Sequence, residues 1–228
     1  MWVTRLSKFQ RIEWQLFWLF TFICAVGASR PDLHLLDATV TNADGSPKGW
    51  SLMVKEGKPR LHSLDDGGRH GICLDALNSS FSINRQVNVD LRKVPRLHWS
   101  WRAEMLPPRG DFRESDTDDQ AAQLFVAFER SGILAPTAIN YIWDTNAPEA
   151  AVGNYSIPFV INVKTVVVTS GESSVGSWIA MERDVAGDYK RLFKDDPPLV
   201  SAIRFQVNSQ HTRSRAEGCI AEIVFTEL

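Results

Sequence analysis

The residue types best suited to chemistry are concentrated in one acidic stretch, residues 111–120. Its acidic members are Asp111, Glu114, Asp116, Asp118 and Asp119. Carboxylate oxygens at alternating positions suit Ca²⁺, and a pair of carboxylates can act as acid and base in glycoside cleavage. The stretch is therefore interpreted in three ways: a calcium site at Asp118 and Asp119, a glycosidase centre, or a solvated loop. The loop interpretation requires the least of the sequence.

The spacing Glu114-x-Asp116-x-x-Asp119 resembles the E-x-D-x-x-E strand motif of some jelly-roll glycoside hydrolases. The last residue differs, and the stretch lacks the alternating apolar residues of a strand. No catalytic residue is therefore assigned. A carboxylate-dependent glycoside hydrolase that acts on envelope polysaccharide is kept as an alternative to the binding function described at the end of this section.

A second set of candidates lies at residues 137–143, where Tyr141 and Trp143 share one side of a predicted strand. Aromatic faces stack on sugars, while amides hold their hydroxyl groups. Aromatic residues at a period of two are more often core residues. In that case the opposite side of the strand, with Asn140 and Asp144, would bind the ligand. The sequence does not decide between the two sides.

Common nucleophile motifs are missing from the sequence. There is no G-x-S-x-G, no S-x-x-K and no C-x-x-C, and no two of the five histidines are spaced i, i+2 or i, i+4. These absences argue against the usual serine and thiol chemistries and against a locally encoded zinc site.

Residues 96–105 give the clearest structural pattern. Leu97, Trp99, Trp101 and Ala103 alternate with polar residues, which predicts a strand with one wet face and both tryptophans in the core. A helix is predicted at residues 185–193, capped by Asp184. Further strands are predicted at residues 50–55, 71–77, 81–91, 123–128, 137–143, 158–168, 178–183, 203–207 and 218–225. Short strands separated by turn signals predict a mainly all-β, antiparallel β-sandwich.

The N-terminus has the layout of a secretory signal peptide. Basic residues precede an apolar run at residues 14–28 that is too short to span a bilayer, which takes about 20 residues. We expect a signal peptide at residues 1–28 and a single domain at residues 29–228, without a membrane span once the signal is removed. An uncleaved anchor is the alternative, because Glu13 and three tryptophans are unusual in such a segment.

Charge and cysteine content fit export. The chain has 25 basic and 27 acidic residues, and the leader removes three of the former and one of the latter, so the rest is acidic by four charges. This composition argues against nucleic acid as a partner. Cys73 and Cys219 remain in the domain, where a disulfide and two buried thiols are equally compatible with the sequence.

Several ordered motifs resemble a bacterial family known as domain of unknown function 3047, over about residues 50–225. They include Val89-Asp90-Leu91, Trp99-x-Trp101-Arg102, Leu106-Pro107-Pro108, Thr117-Asp118-Asp119-Gln120, Asn140-Tyr141-x-Trp143 and Asn162-Val163-Lys164. The resemblance implies an exported protein, periplasmic or secreted, with a jelly-roll sandwich like those of carbohydrate-binding modules. It brings no established activity. Where the family tends to have an acidic D-x-D-N-T loop, this chain has amides at Asn208 and Gln210, which weakens the expectation of bound calcium.

The leading hypothesis is a non-catalytic domain that binds a glycan or another cell-envelope component. A purely structural or protein-binding envelope domain is a further alternative. No cofactor is required, although calcium would suit Asp118 and Asp119. The candidate ligand-binding residues are Asp118, Asp119, Gln120, Asn140, Tyr141, Trp143 and Lys164.

Overall fold

Two β-sheets pack face to face in the computed structural model, which describes residues 32–129 and 135–227. The predicted signal peptide lies outside the described residues. Apolar residues at every second strand position fill the space between the sheets, because successive side chains of a strand point to opposite faces. The predicted β-sandwich is confirmed.

The smaller sheet has the order β11-β6-β13-β4-β3, with β1 also paired to β13. Its strands are β1 (Leu33–His34), β3 (Leu61–Asp66), β4 (Arg69–Leu77), β6 (Arg96–Met105), β11 (Ile179–Asp184) and β13 (Arg215–Thr226). Trp99 and Trp101 of β6 are fully buried between the sheets, as their spacing predicts.

The larger sheet has the order β2-β5-β12-β7-β8-β10-β9. Its strands are β2 (Ser51–Glu56), β5 (Ser80–Val89), β7 (Ala122–Phe128), β8 (Thr137–Asp144), β9 (Val152–Ile157), β10 (Ile161–Ser170) and β12 (Val200–Asn208). Its inner side packs on the smaller sheet, and its other side is called here the outer face.

Three features of the larger sheet differ from the sequence prediction. The strand predicted at residues 158–168 begins at Ile161, because residues 158–160 form the turn between β9 and β10. Strand β9 was not predicted, since its Gly153, Asn154 and Ser156 weaken the strand pattern. Strand β10 inserts between β8 and β9, so that β8 and β10 are parallel within an otherwise antiparallel sheet.

The single α-helix of the described residues, α1, spans Val185–Phe193 as predicted, and a short 3-10 helix spans Ser115–Thr117. The Asp184 side chain accepts a hydrogen bond from the Gly187 backbone N–H at 2.9 Å, which satisfies a free donor of the first turn. Within the described ranges no helix combines the length and apolarity needed to cross a membrane.

Cys73 and Cys219 form a disulfide between β4 and β13, where they are directly opposite each other. The bridge joins segments 146 residues apart in sequence. It lies in the smaller sheet, away from the outer face of the larger one.

Candidate functional site

The register of the larger sheet aligns outward-pointing residues in three rows that run across the strands. The arginine row is Ser51, Asn84, Arg204, Phe125, Asn140, Thr165 and Gly153. The glutamine row is Met53, Ser82, Gln206, Gln123, Ile142 and Val167. The alanine row is Gln86, Ala202, Ala127, Ala138, Val163 and Tyr155.

Neutral polar side chains dominate the middle of this outer face. Asn84, Gln123 and Asn140 expose 7, 4 and 5% of their surface, so their amides lie within the sheet surface instead of extending into solvent. Amides both donate and accept hydrogen bonds. The outer face therefore offers donors and acceptors held in fixed positions.

A chain of hydrogen bonds fixes these amides. Asn140 Nδ2 donates to Gln123 Oε1 at 3.2 Å, and Gln123 Nε2 donates to Asn208 Oδ1 at 2.6 Å. Asn208 Nδ2 in turn donates to the Asp118 carbonyl at 2.7 Å. Asn140 Oδ1 is buried and has no hydrogen-bond partner within the described part of the chain. A buried acceptor without a donor is costly.

Arg204 lies in the middle of the arginine row, half-buried. Its Nε donates to Asn84 Oδ1 at 2.6 Å, and its guanidinium carbon lies 5.6 Å from the centre of the Phe125 ring. Burial lowers the pKa of Arg204, since a desolvated cation is disfavoured. The arginine is thus held flat against the sheet by an amide and an aromatic ring.

Aromatic and apolar groups lie at the end of the face formed by β8, β10 and β9. Tyr155, 60% exposed, stands on the edge strand β9 at the end of the alanine row. The Phe112 ring lies on Gly153, where an added Cβ would come within 2.4 Å of it. Ile142 and Val167 pack with Phe112 and Ala147 in a small apolar cluster that covers one end of the glutamine row.

The acidic loop lies beside the chain of hydrogen-bonded amides. Its two predicted calcium ligands, Asp118 and Asp119, have different surroundings. Both oxygens of the buried Asp119 carboxylate accept hydrogen bonds, from His211 N at 3.3 Å and from Thr212 N at 2.6 Å. Asp118 is exposed and accepts from Gln120 Nε2 at 3.0 Å. Asp119 therefore anchors the 208–214 loop, while Asp118 keeps exposed surface although protein atoms surround much of its carboxylate.

Two carboxylates of this region have raised pKa values. Loss of hydration raises the pKa of Asp118, to which the charges of Asp119 and Asp144 add. Burial also raises the pKa of Asp144, although three backbone N–H groups donate to its carboxylate. Gln120 Nε2 lies between them, 3.4 Å from Asp144 Oδ2.

The described residues contain no group of three or more His, Cys, Asp or Glu side chains that could hold a metal ion. Asp119 already uses both carboxylate oxygens on protein donors. Calcium binding at Asp118 and Asp119 thus stays a prediction of the sequence, without support from this geometry.

Three of the predicted ligand-binding residues lie on strands of the larger sheet but do not point to its outer face. Tyr141 and Trp143 are fully buried between the sheets. Tyr141 instead donates to Asp188 Oδ2 at 2.9 Å, within a network that includes Arg183. Lys164 aligns with Ile139 and therefore projects from the opposite side of the sheet from Asn140.

Sequence analysis missed several residues of the face. Arg204 and Gln206 alternate with apolar Ile203, Phe205 and Val207, which is the signal of a wet strand face. That pattern shows that they point outward but not that they lie next to Asn140. Tyr155 was missed because its strand was not predicted.

A family model covers residues 49–224, more than half of the chain. The chain belongs to the family described as Protein of unknown function (DUF3047). The predicted family is confirmed. No curated protein is significantly similar in sequence to this family member.

This DUF3047 chain is similar in structure to several solved proteins. One is the family 11 carbohydrate-binding module of the cellulosomal cellulase Lic26A-Cel5E of Clostridium thermocellum, at 10% identity and a TM-score of 0.46, covering 88% of this chain and 97% of that one. Another is the native family 12 xyloglucanase from Bacillus licheniformis, at 13% identity and a TM-score of 0.45, covering 88% and 99%. A third is the xyloglucanase domain of NopAA from Sinorhizobium fredii, at 13% identity and a TM-score of 0.45, covering 80% and 96%.

Proposed function

We propose that this domain binds a glycan across the outer face of its larger sheet, without cleaving it. The observation that carries the proposal is the composition of the three rows. Apart from Arg204, their polar members carry amide or hydroxyl groups, the amides of Asn140 and Gln123 are held by hydrogen bonds, and an exposed tyrosine stands at their edge. Sugars carry many hydroxyl groups together with apolar ring faces, so amides and an aromatic ring are the groups that recognise them.

The distance between Arg204 and Tyr155 supports an extended ligand. They stand on β12 and β9, which are four strand spacings apart in the sheet. At about 4.8 Å per spacing, this distance is roughly 19 Å. Between them the alanine row has small side chains at Ala202, Ala127 and Ala138. A chain of several sugars would span this distance, whereas a single sugar would not.

Glycoside hydrolysis is less well supported by the face. Both retaining and inverting hydrolases place two carboxyl groups on opposite sides of the bond that breaks. The three rows contain no carboxylate, and the nearby Asp144 is engaged by backbone N–H groups. A hydrolase would have to pair Asp118 with a group from outside the rows.

The proposed location is the periplasm or the exterior of a bacterial cell. The disulfide between Cys73 and Cys219 supports it, because disulfides persist in oxidising compartments. Envelope polysaccharides are then the glycans that the domain meets.

The test is binding of the full chain to a panel of soluble polysaccharides, measured by isothermal titration calorimetry. Tyr155→Ala removes the exposed ring at the edge of the face, and Phe159→Ala removes another exposed ring, from the neighbouring turn outside the rows. Loss of one stacked ring is worth about 1 kcal/mol, so we expect Tyr155→Ala to weaken binding roughly fivefold. Phe159→Ala should leave the affinity unchanged.

Reducing-end release from the bound polysaccharide is measured in parallel. Binding without release supports the proposal. Failure to bind any polysaccharide, or equal affinities for wild type and Tyr155→Ala, would overturn it. Release of reducing ends that is abolished by Asp118→Asn would favour the hydrolase instead.

A further inference from the structure

We infer that the bound glycan is acidic and that Arg204 binds a carboxylate or phosphate group carried by its sugars. This inference rests on the proposed function and adds the class of ligand to it.

Among the described residues, Arg85 and Arg204 are half-buried arginines without an acidic partner, and of the two only Arg85 donates through a terminal nitrogen, from Nη1 to the Leu35 carbonyl. Arg102 and Arg183, whose side chains are 22 and 30% exposed, bind carboxylates at 2.7 and 2.6 Å. For Arg204, no carboxylate lies within 4.0 Å among residues 32–129 and 135–227. The only hydrogen bond of its side chain there is the one from Nε to Asn84 Oδ1. A half-buried cation therefore has its charge uncompensated by the protein.

The fixed orientation of Arg204 leaves its terminal nitrogens available. Nε is used by Asn84, and the guanidinium lies against Phe125. Nη1 and Nη2 have no hydrogen-bond partner in the described part of the chain. A planar fork of this kind binds two oxygens of a carboxylate or phosphate at once, and less entropy is lost when the fork is already oriented. The lowered pKa of Arg204 is consistent with a guanidinium that has no acidic partner, because desolvation is its cause.

The charged side chains of the three rows indicate that the ligand carries negative charge. Arg204 is the one charged side chain in the arginine, glutamine and alanine rows. No acidic side chain in those rows repels an anion or competes for the guanidinium. A neutral glycan would leave the positive charge unpaired under the ligand, whereas an acidic one would neutralise it.

The experiment compares polymers that differ in charge. The full chain is titrated with polygalacturonate, with the same polymer after reduction of its carboxyl groups, and with a phosphomannan. Arg204→Gln removes the charge, and Arg204→Lys keeps the charge but lacks the planar pair of terminal nitrogens. Arg213→Gln is a control that removes a charge from an exposed site outside the rows. Circular dichroism melting shows whether each variant is folded.

We expect the acidic polymers to bind and the carboxyl-reduced polymer to bind at least about tenfold more weakly. A charge-assisted hydrogen bond is worth about 1.5–3 kcal/mol, so Arg204→Gln should lower affinity for acidic polymer roughly tenfold or more. Arg204→Lys should retain an intermediate affinity, and Arg213→Gln should match wild type. The affinity of wild type for the acidic polymer should fall as salt is raised.

Equal binding of charged and carboxyl-reduced polymer, with Arg204→Gln like wild type, would overturn this inference and leave the proposed function standing. Binding of phosphomannan alone among the acidic polymers would assign phosphate as the group, and binding of polygalacturonate alone would assign carboxylate. If no polymer of the panel binds at all, the proposed function fails together with this inference. If Arg204→Gln does not fold, Arg204→Lys takes its place: weaker binding of acidic polymer than wild type supports the inference, and equal binding overturns it.

Discussion

At the scale of single residues, Asn140 and Tyr141 show how one step along a strand separates two roles. Tyr141 is fully buried and ends in a hydrogen bond to Asp188. Asn140 points to the outer face and keeps an acceptor without a partner among the described residues. An unpaired buried acceptor costs about 1–3 kcal/mol.

Asp118 gives a prediction for pH dependence. Loss of hydration raises its pKa above the ordinary 3.8, so the folded state holds the proton at pH values where the unfolded chain has lost it. Stability therefore falls as pH rises through this window above 3.8. Asp118→Asn, which can still accept from Gln120, should raise the melting temperature relative to wild type at pH 7, and the difference should shrink as pH approaches 4.

The control for this prediction is Asp116→Asn, an exposed carboxylate in the same loop. Melting curves of the three proteins between about pH 4 and 7 provide the measurement. A difference between Asp118→Asn and wild type that stays constant over this range would contradict the assignment.

At the scale of elements, local sequence determines the helix and most strands. Helix α1 has a capping aspartate and two basic residues in its last turn, and it begins and ends where predicted. Strand β6 alternates apolar and polar residues, which buries both of its tryptophans. Strand β9 was missed because its sequence lacks that alternation, and pairing with β10 compensates for the weak local pattern.

Substitution of Asp184 tests whether its N-cap hydrogen bond stabilises helix α1. Asp184→Ala removes the acceptor for Gly187 N–H and should lower the free energy of unfolding by about 1 kcal/mol. Asp184→Asn should retain nearly all of the stability, since asparagine caps helices about as well. Urea denaturation followed by circular dichroism compares them. Equal losses for the two variants would show that the cap is not the stabilising interaction.

At the scale of the whole molecule, the two sheets have separate tasks. The smaller sheet carries the disulfide between Cys73 and Cys219, whereas the larger sheet carries the candidate glycan-binding face. Stability and ligand binding should therefore respond to different substitutions.

The disulfide provides that test. Alkylation without reduction should label neither Cys73 nor Cys219, as peptide mapping by mass spectrometry would show. The double variant Cys73→Ala, Cys219→Ala should lower the free energy of unfolding by about 2–4 kcal/mol, because the bridge restricts the unfolded chain. Polysaccharide affinity should change little while the variant stays folded. Two alkylated cysteines in the unreduced protein would contradict both the bridge and the proposed oxidising location.

The sequence by itself determined the β-sandwich class, the helix and the burial of Trp99 and Trp101, because periodicity and capping are local properties of the chain. It also left two sides of strand β8 as candidates, and the packing of Tyr141 and Trp143 against Trp99 and Trp101 of the smaller sheet leaves the side of Asn140 as the outer one. Only the tertiary structure aligned Asn84, Arg204 and Asn140 in one row. These three residues come from strands far apart in sequence, and their alignment depends on strand order and register, which no local pattern records. The isolation of Arg204 from every carboxylate of the described chain is a property of that arrangement, and it gives the face its proposed preference for an acidic glycan.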